Sequence, residues 1–191
     1  MISATGFVLA GGFSRRFGTN KALFLLRQRP LIQYSLDTLS ACFSHVSVIS
    51  KDVEPYSQFG VPVLRDESDL QTPLAGILTG LRNTHTEWNF FLACDMPMMS
   101  QKIIRRLYRR AKQPGQKQKV EVVLPVAGGK WQPLAAFYRK NLLETLPGAI
   151  EKQISVRDWI KLHFYGAVRF EQTAEFTNIN TREELDALET D

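Results

Sequence analysis

Short apolar runs alternate along this chain with amphipathic segments, and that alternation constrains the fold more than any other feature. The runs at 5–9, 45–50, 61–65, 90–94, 121–126 and 167–171 are apolar, partly β-branched and closed by glycine, proline or a polar residue, which reads as buried strands. The segments at 30–42, 73–83, 101–112, 139–146, 155–162 and 181–189 carry apolar residues at helical spacing. Strands alternating with helices predict an α/β domain with a mostly parallel sheet. Pro30 and Pro73 suit the first turn of a helix, where a missing N–H costs nothing. Thr181, followed by Glu183 and Glu184, suits an N-cap with an acidic first turn. With 191 residues, 44% of them hydrophobic, one domain with a full core is expected over 1–191. The stretch 114–119 is a surface loop by composition, and the pieces on either side are too small to stand alone.

In open α/β sheets, ligands sit beyond the carboxyl ends of the strands. The end of the first run is chemically the richest: Leu9-Ala10-Gly11-Gly12-Phe13-Ser14-Arg15-Arg16-Phe17-Gly18-Thr19-Asn20-Lys21. Gly11 and Gly12 lack a Cβ, so the main chain can approach a ligand closely. Successive N–H groups in such a turn can form a concavity for anions. Arg15 and Arg16 offer forked donors that match phosphate oxygens. Lys21 is a compact charge, suited to the charge that develops as a phosphoryl group transfers. A glycine pair after a strand can be only a tight turn, and loop arginines can be only solvated. The full order of strand, glycines, arginines and lysine favours phosphate binding. The spacing is neither the Walker loop nor the dinucleotide fingerprint.

Two carboxylates follow other strand ends. Asp95, in Cys94-Asp95-Met96-Pro97, could hold a Mg²⁺ that bridges phosphates; its plainer role is to cap a turn or helix. Asp66 could accept from the ring N–H and exocyclic amine of guanine, a donor pair adenine lacks, or could equally cap a turn. Gly76, near the start of the second helix, either clears space for a ligand or lets the helix pack closely. These segments are expected to gather with the glycine loop at one edge of the sheet.

Composition narrows the function classes without choosing among them. A net charge of +5 favours anionic partners, including nucleotides and nucleic acid. Cys42 and Cys94 form no metal spacing and no disulfide framework, which suits a reducing cytoplasm. No apolar stretch is long enough to span a membrane, and no secretory leader is expected at the N-terminus. His45, His85 and His163 show no ligand spacing. Trp88, Trp131 and Trp159 are expected to pack. The basic segment Ile103-Ile104-Arg105-Arg106-Leu107-Tyr108-Arg109-Arg110 reads as a solvated helix face before a nucleic-acid surface, since no aromatic stacking pattern accompanies it.

The glycine loop resembles the L-A-G-G-x-S-x-R-x-G-x-x-K signature of nucleotidyltransferases. Over nearly its whole length the chain resembles the molybdenum cofactor guanylyltransferases. The likeness covers Leu9-Ala10-Gly11-Gly12 with Lys21, Pro30-Leu31-Ile32, Asp66, Pro73-Leu74-Ala75-Gly76, Cys94-Asp95-Met96-Pro97 and Phe176-Thr177-Asn178-Ile179-Asn180-Thr181 before Glu183-Glu184-Leu185. The final asparagine pair is its most family-specific part. The resemblance implies a Rossmann-like three-layer domain of the nucleotide-diphospho-sugar transferase type. It implies transfer of GMP from GTP to the terminal phosphate of molybdopterin, with or without molybdenum, releasing pyrophosphate. Leu9, Ala10 and Gly11 would contact the nucleotide through the main chain, with Gly12 and Gly76 beside it. Lys21 would stabilise phosphate charge, Arg15 and Arg16 would clamp phosphate, Asp66 would bind guanosine and Asp95 would hold Mg²⁺. Asn178 and Asn180, on alternate positions of an extended segment, would face a polar pterin ring. An alternative for this pair is turn chemistry ahead of Thr181. Asn20 stands where many relatives carry aspartate, and the segment 47–51 lacks an asparagine that the family often uses for the nucleotide. The glycines of 128–129 with Gln132 and Pro133 suit an acceptor-side loop. The basic helix then gains a third reading, docking of an acidic molybdoenzyme or its chaperone.

The rival readings are a nucleotidyltransferase using CTP or acting on a sugar or polyol phosphate, a non-catalytic nucleotide-binding module, and a nucleic-acid binder resting on charge alone.

Overall fold

In the computed structural model, residues 1–10, 20–113, 119–181, 183–185 and 187 are described. In chain order the strands and helices are β1 (Ile2–Leu9), β2 (Leu25–Leu26), β3 (Arg29–Pro30), α1 (Leu31–Ser40), β4 (Phe43–Ser50), β5 (Val63–Arg65), α2 (Pro73–Arg82), β6 (Trp88–Ala93), α3 (Gln101–Ala111), β7 (Val122–Ala127), β8 (Lys130–Trp131), β9 (Ala135–Arg139), α4 (Leu146–Glu151), α5 (Val156–Lys161) and β10 (Tyr165–Phe170). Short 3₁₀ turns lie at Lys21–Leu23, Glu54–Phe59, Lys140–Glu144 and Ala174–Phe176. Residues 183–185 are helical.

The main sheet runs in the order β10-β7-β9-β6-β1-β4-β5, with β8 paired to β7. Pairings of β1 with β4 and β6, of β4 with β5, and of β10 with β7 are parallel. The expected mostly parallel α/β sheet is therefore present. Its centre is apolar on both faces because helices cover both: every residue of β6, Trp-Asn-Phe-Phe-Leu-Ala, is buried. Alternate residues feed two cores. Val8, Phe90, Leu92 and Phe137 pack with Ile32, Leu36 and Leu39 of α1 and Ile103, Ile104 and Leu107 of α3. Phe7, Phe91 and Tyr138 pack on the other face with α2, α4 and α5. Phe7 and Phe91 are register partners across β1 and β6, and their rings stack at 5.0 Å. Burying each such side chain stabilises by roughly 1.5–3 kcal/mol, so the central register is set by apolar pairs. The three layers follow from that period-two alternation. Trp88 and Trp159 are fully buried, as expected of packing residues.

The structure corrects the sequence reading at two places. Residues 139–146 are not one helix. Arg139 ends β9, a 3₁₀ turn follows, and α4 begins at Leu146 because Pro147 fits only a first helical turn. The strand β9 lies antiparallel between β6 and β7, and its run Ala-Ala-Phe-Tyr-Arg is almost wholly buried, so it shows no alternation to read. Pro30 is not inside a helix either. It closes a two-stranded hairpin and precedes α1, and the hairpin turn places Arg27 and Gln28 at φ of 48° and 61°. No helix among the described residues is long and apolar enough to cross a membrane.

Candidate active site

The chain passes from β1 to β4 and β5, then returns to place β6 on the other flank of β1. Where strand order reverses in this way, the strand ends leave a crevice. A cleft of about 300 Å³ opens there, and its walls include Leu9, Ala10, Lys21, Asp66, Gly76, Asp95 and Asn180. These segments, distant in sequence, do meet at one sheet edge. Gly11, Gly12, Arg15 and Arg16 lie outside the described residues.

Lys21 stands at the start of a 3₁₀ turn that Asn20 caps, with Ala22 N donating to Asn20 Oδ1 at 3.2 Å. Its ammonium donates to Asp95 Oδ2 at 2.9 Å and to Asn180 Oδ1 at 3.1 Å. Both partners of the ion pair are largely enclosed, with side chains 13% and 19% exposed. Asp95 Oδ1 is buried and has no hydrogen-bond partner among the described residues. Asp95 lies in the turn just after β6, with Cys94 between it and the strand's end at Ala93, and Cys94 N donates to Leu9 O at 3.1 Å, which ties the two strand exits together. Cys94 lines the same cleft. Burial, and next the charge of Asp95, push its thiol from the ordinary 9.0 to about 12, so no thiolate forms there near neutral pH.

The C-terminal segment crosses this point. Ile179 N donates to Asp95 O at 2.9 Å, and the Ile179 side chain is buried with Leu26, Leu31 and Leu185. Thr181 and Glu184 form a reciprocal capping box. Glu184 N donates to Thr181 Oγ1 at 3.2 Å, and Thr181 N donates to Glu184 Oε2 at 3.1 Å. Asn180 N also donates to that carboxylate. Of the asparagine pair, Asn180 reaches the cleft wall. Asn178 is half-buried, and its amide oxygen lacks a partner among the described residues.

Asp66 lines the cleft and also closes a turn. Its Oδ1 accepts from Ser68 N at 3.1 Å. Gly76 likewise lines the cleft and packs: a Cβ there would lie 2.8 Å from Leu9 Cδ2. Gly128 and Gly129, at φ of 55° and 74°, form the tight turn between β7 and β8, and Leu134 beyond them reaches the cleft.

Sequence reading missed Tyr56. It is 1% exposed, and its hydroxyl lies 3.1 Å from Ala10 O and 3.0 Å from Asn20 Oδ1. A single tyrosine in a polar loop segment carries no sequence signal for such a role. Two arginines of the basic helix fold back on the protein: Arg105 donates to Ala41 O, and Arg106 donates to Arg169 O while its guanidinium covers the Phe170 ring. Among the described residues, no group of three or more His, Cys, Asp or Glu side chains could hold a metal ion.

Residues 6–169 match the family model of the MobA-like NTP transferase domain. The chain belongs to the MobA-like NTP transferase family. It is a nucleotidyltransferase by that membership. Its relatives include a molybdenum cofactor guanylyltransferase of Cupriavidus metallidurans, 32% identical over 95% of this chain and 92% of that protein. A molybdenum cofactor guanylyltransferase of Cupriavidus taiwanensis is 31% identical over 97% and 96%. The fold of this MobA-like chain is also that of the crystal structure of molybdopterin-guanine dinucleotide biosynthesis protein A from Archaeoglobus fulgidus. The two superpose with a TM-score of 0.81 at 23% identity, over 97% of each chain.

Proposed function

We propose that residues 1–191 form one nucleotidyltransferase domain that transfers GMP from GTP to the terminal phosphate of molybdopterin, with or without its molybdenum. The products are molybdopterin guanine dinucleotide and pyrophosphate. The observation that carries this reading is the meeting of Lys21, Asp95 and Asn180 through hydrogen bonds of 2.9 and 3.1 Å in a cleft that Asp66 also lines. The names of the relatives agree with it.

In this reading an acceptor phosphate oxygen attacks the α-phosphorus of GTP. A new P–O bond forms, the bond to the α–β bridging oxygen breaks, and pyrophosphate leaves with that electron pair. No protein nucleophile is needed. Leu9, Ala10 and the glycines at 11 and 12 let the main chain approach the nucleotide. Lys21 stabilises charge that builds on phosphate oxygens in the transition state, and Arg15 clamps phosphate from the same loop. Asp66 accepts from the guanine N–H and amine. Asn178 and Asn180 serve the pterin side.

Mg²⁺ is the cation this chemistry calls for, and the residues fit it. Asp95 offers a carboxylate oxygen with no other partner among the described residues. One free carboxylate oxygen, with no group of three or more His, Cys, Asp or Glu side chains among the described residues, suits a cation held largely by phosphates and water. Bound there, Mg²⁺ would offset charge on the triphosphate and the departing pyrophosphate. The unpaired Cys42 and Cys94 suit a reducing cytoplasm. The product's chemistry implies delivery to a molybdoenzyme, its chaperone or another protein of cofactor biosynthesis.

Thermal melting with each of the four nucleoside triphosphates and Mg²⁺ tests the base assignment. GTP is expected to raise the midpoint most, and a larger shift with CTP would overturn the choice of substrate. Pyrophosphate release from radiolabelled GTP that depends on molybdopterin tests the reaction. Binding without release would mark a non-catalytic module.

A further inference from the structure

Tyr56 lies in the 3₁₀ turn Glu54–Phe59, on the crossover between β4 and β5. It belongs to neither the glycine loop nor the strand ends that line the cleft, yet its hydroxyl touches both flanks of residues 11–19. On one side is Ala10 O at 3.1 Å; on the other is Asn20 Oδ1 at 3.0 Å. Each flank is fixed to something of consequence. Ala10 N donates to Ile49 O at 2.9 Å and so continues the β1–β4 pairing. Asn20 Oδ1 also accepts from Ala22 N and caps the turn that begins with Lys21. Hydrogen bonds therefore run without a break from the buried phenol to the residue that caps the lysine's turn.

We propose that Tyr56 is a positioning residue that sets the span between Ala10 and Asn20, and thereby the placement of Lys21 against Asp95. This rests on the reading of Lys21 and Asp95 as the nucleotidyl-transfer site. A buried tyrosine needs only one partner for its hydroxyl. Here one proton faces two acceptors, Ala10 O and Asn20 Oδ1, that flank residues 11–19. Burial also raises the phenol above its ordinary pKa, so the hydroxyl keeps its proton over the working range. Packing alone does not require this arrangement, because the Tyr56 ring already has its neighbour in Phe59, at 6.5 Å between centroids.

The test compares Tyr56→Phe, Asn20→Ala, Asn20→Asp and the Tyr56→Phe/Asn20→Ala double variant. The measurements are GTP affinity, kcat and KM with molybdopterin, and melting temperature. Tyr56→Phe keeps the ring and loses only the hydroxyl. Its kcat/KM for GTP is expected to fall about tenfold, the size of one lost hydrogen bond, at an assay temperature where the protein stays folded. Because both groups act on one linkage, the double variant is expected to be no worse than the more damaged single. Asn20→Asp, which keeps the acceptor, is expected to stay near wild type where Asn20→Ala does not. Kinetics of Tyr56→Phe equal to wild type with only a lower melting temperature, or losses that multiply in the double variant, would overturn the proposal. Should Tyr56→Phe fail to fold, the two Asn20 variants decide, and equal activity in both would overturn it. A crystal structure of Tyr56→Phe reads the proposal without turnover: Asn20 and Lys21 are expected to leave their present positions, and finding them unmoved would refute it. The underlying reading fails differently, by turnover that survives Lys21→Ala. Turnover sensitive to Lys21→Ala but indifferent to Tyr56→Phe counts against the positioning role alone.

Discussion

Lys21 Nζ and Asp95 Oδ2 lie 2.9 Å apart although 74 residues of chain separate them. The pair joins the 3₁₀ turn Lys21–Leu23 to the segment that follows β6. A cation and a carboxylate are thus held together at a cleft, with one carboxylate oxygen left without a partner among the described residues.

Removing either partner is expected to abolish most turnover. Lys21→Ala should lower kcat about a hundred- to a thousandfold, the usual loss when one positioned donor is deleted. Asp95→Ala should leave almost none, with the fold intact by circular dichroism. Steady-state kinetics with GTP and molybdopterin provide the check. Wild-type turnover in Asp95→Ala would take that residue out of the mechanism.

Asp66 is expected to discriminate bases through two donors of guanine. Inosine triphosphate lacks the exocyclic amine, so wild type should prefer GTP over it by about tenfold or more, the worth of a hydrogen bond to a charged group. In Asp66→Ala that preference should shrink towards unity. Paired KM values for the two nucleotides measure it, and an unchanged preference would assign Asp66 to its turn alone.

The two close-packed glycines of α2 are expected to respond differently. A Cβ at Gly80 would meet the Phe91 ring at 2.5 Å, and that ring is stacked on Phe7. Gly80→Ala should cost about 1–3 kcal/mol, or roughly 2–10 °C in melting temperature. A Cβ at Gly76 would meet only the tip of Leu9, which can turn aside, so Gly76→Ala should melt closer to wild type while weakening GTP binding at the cleft it lines. Equal melting of the two variants would contradict this ranking.

Stability is expected to fall as pH rises above about 9. Burial holds the Cys94 thiol at about 12 against an ordinary 9.0, and also raises Cys42, Tyr56 and Tyr138. Over that window the unfolded chain sheds protons that the folded chain keeps, so unfolding is favoured with each step upward. Melting scans between pH 8 and pH 11, set against Cys94→Ala, should show part of the decline removed in the variant. Native Cys94 should also resist alkylation at pH 8.

The parallel core was legible because buried strands announce themselves as apolar runs. The candidate runs at 5–9 and 90–94 differ only at their ends from Ile2–Leu9 and Trp88–Ala93. The strand Ala135–Arg139 was not legible, since it follows the β7–β8 hairpin rather than a helix and so breaks the strand–helix alternation. Asp66 and Gly76 were each read two ways; the structure shows the turn contact of the one and the close packing of the other, and places both residues on the cleft wall. Asn178 and Asn180 looked equivalent by spacing, but only Asn180 meets Lys21.

Local order in the amino acids was enough to determine the layers and the acidic residues that follow two of the strands, because periodicity and turn chemistry act over a few residues. Tertiary structure alone decided that Lys21 bonds Asp95 and Asn180, and that Tyr56 reaches both Ala10 and Asn20. Those contacts span 36 to 159 residues. They depend on strand order and on how the crossovers pack, and no short-range pattern carries that information.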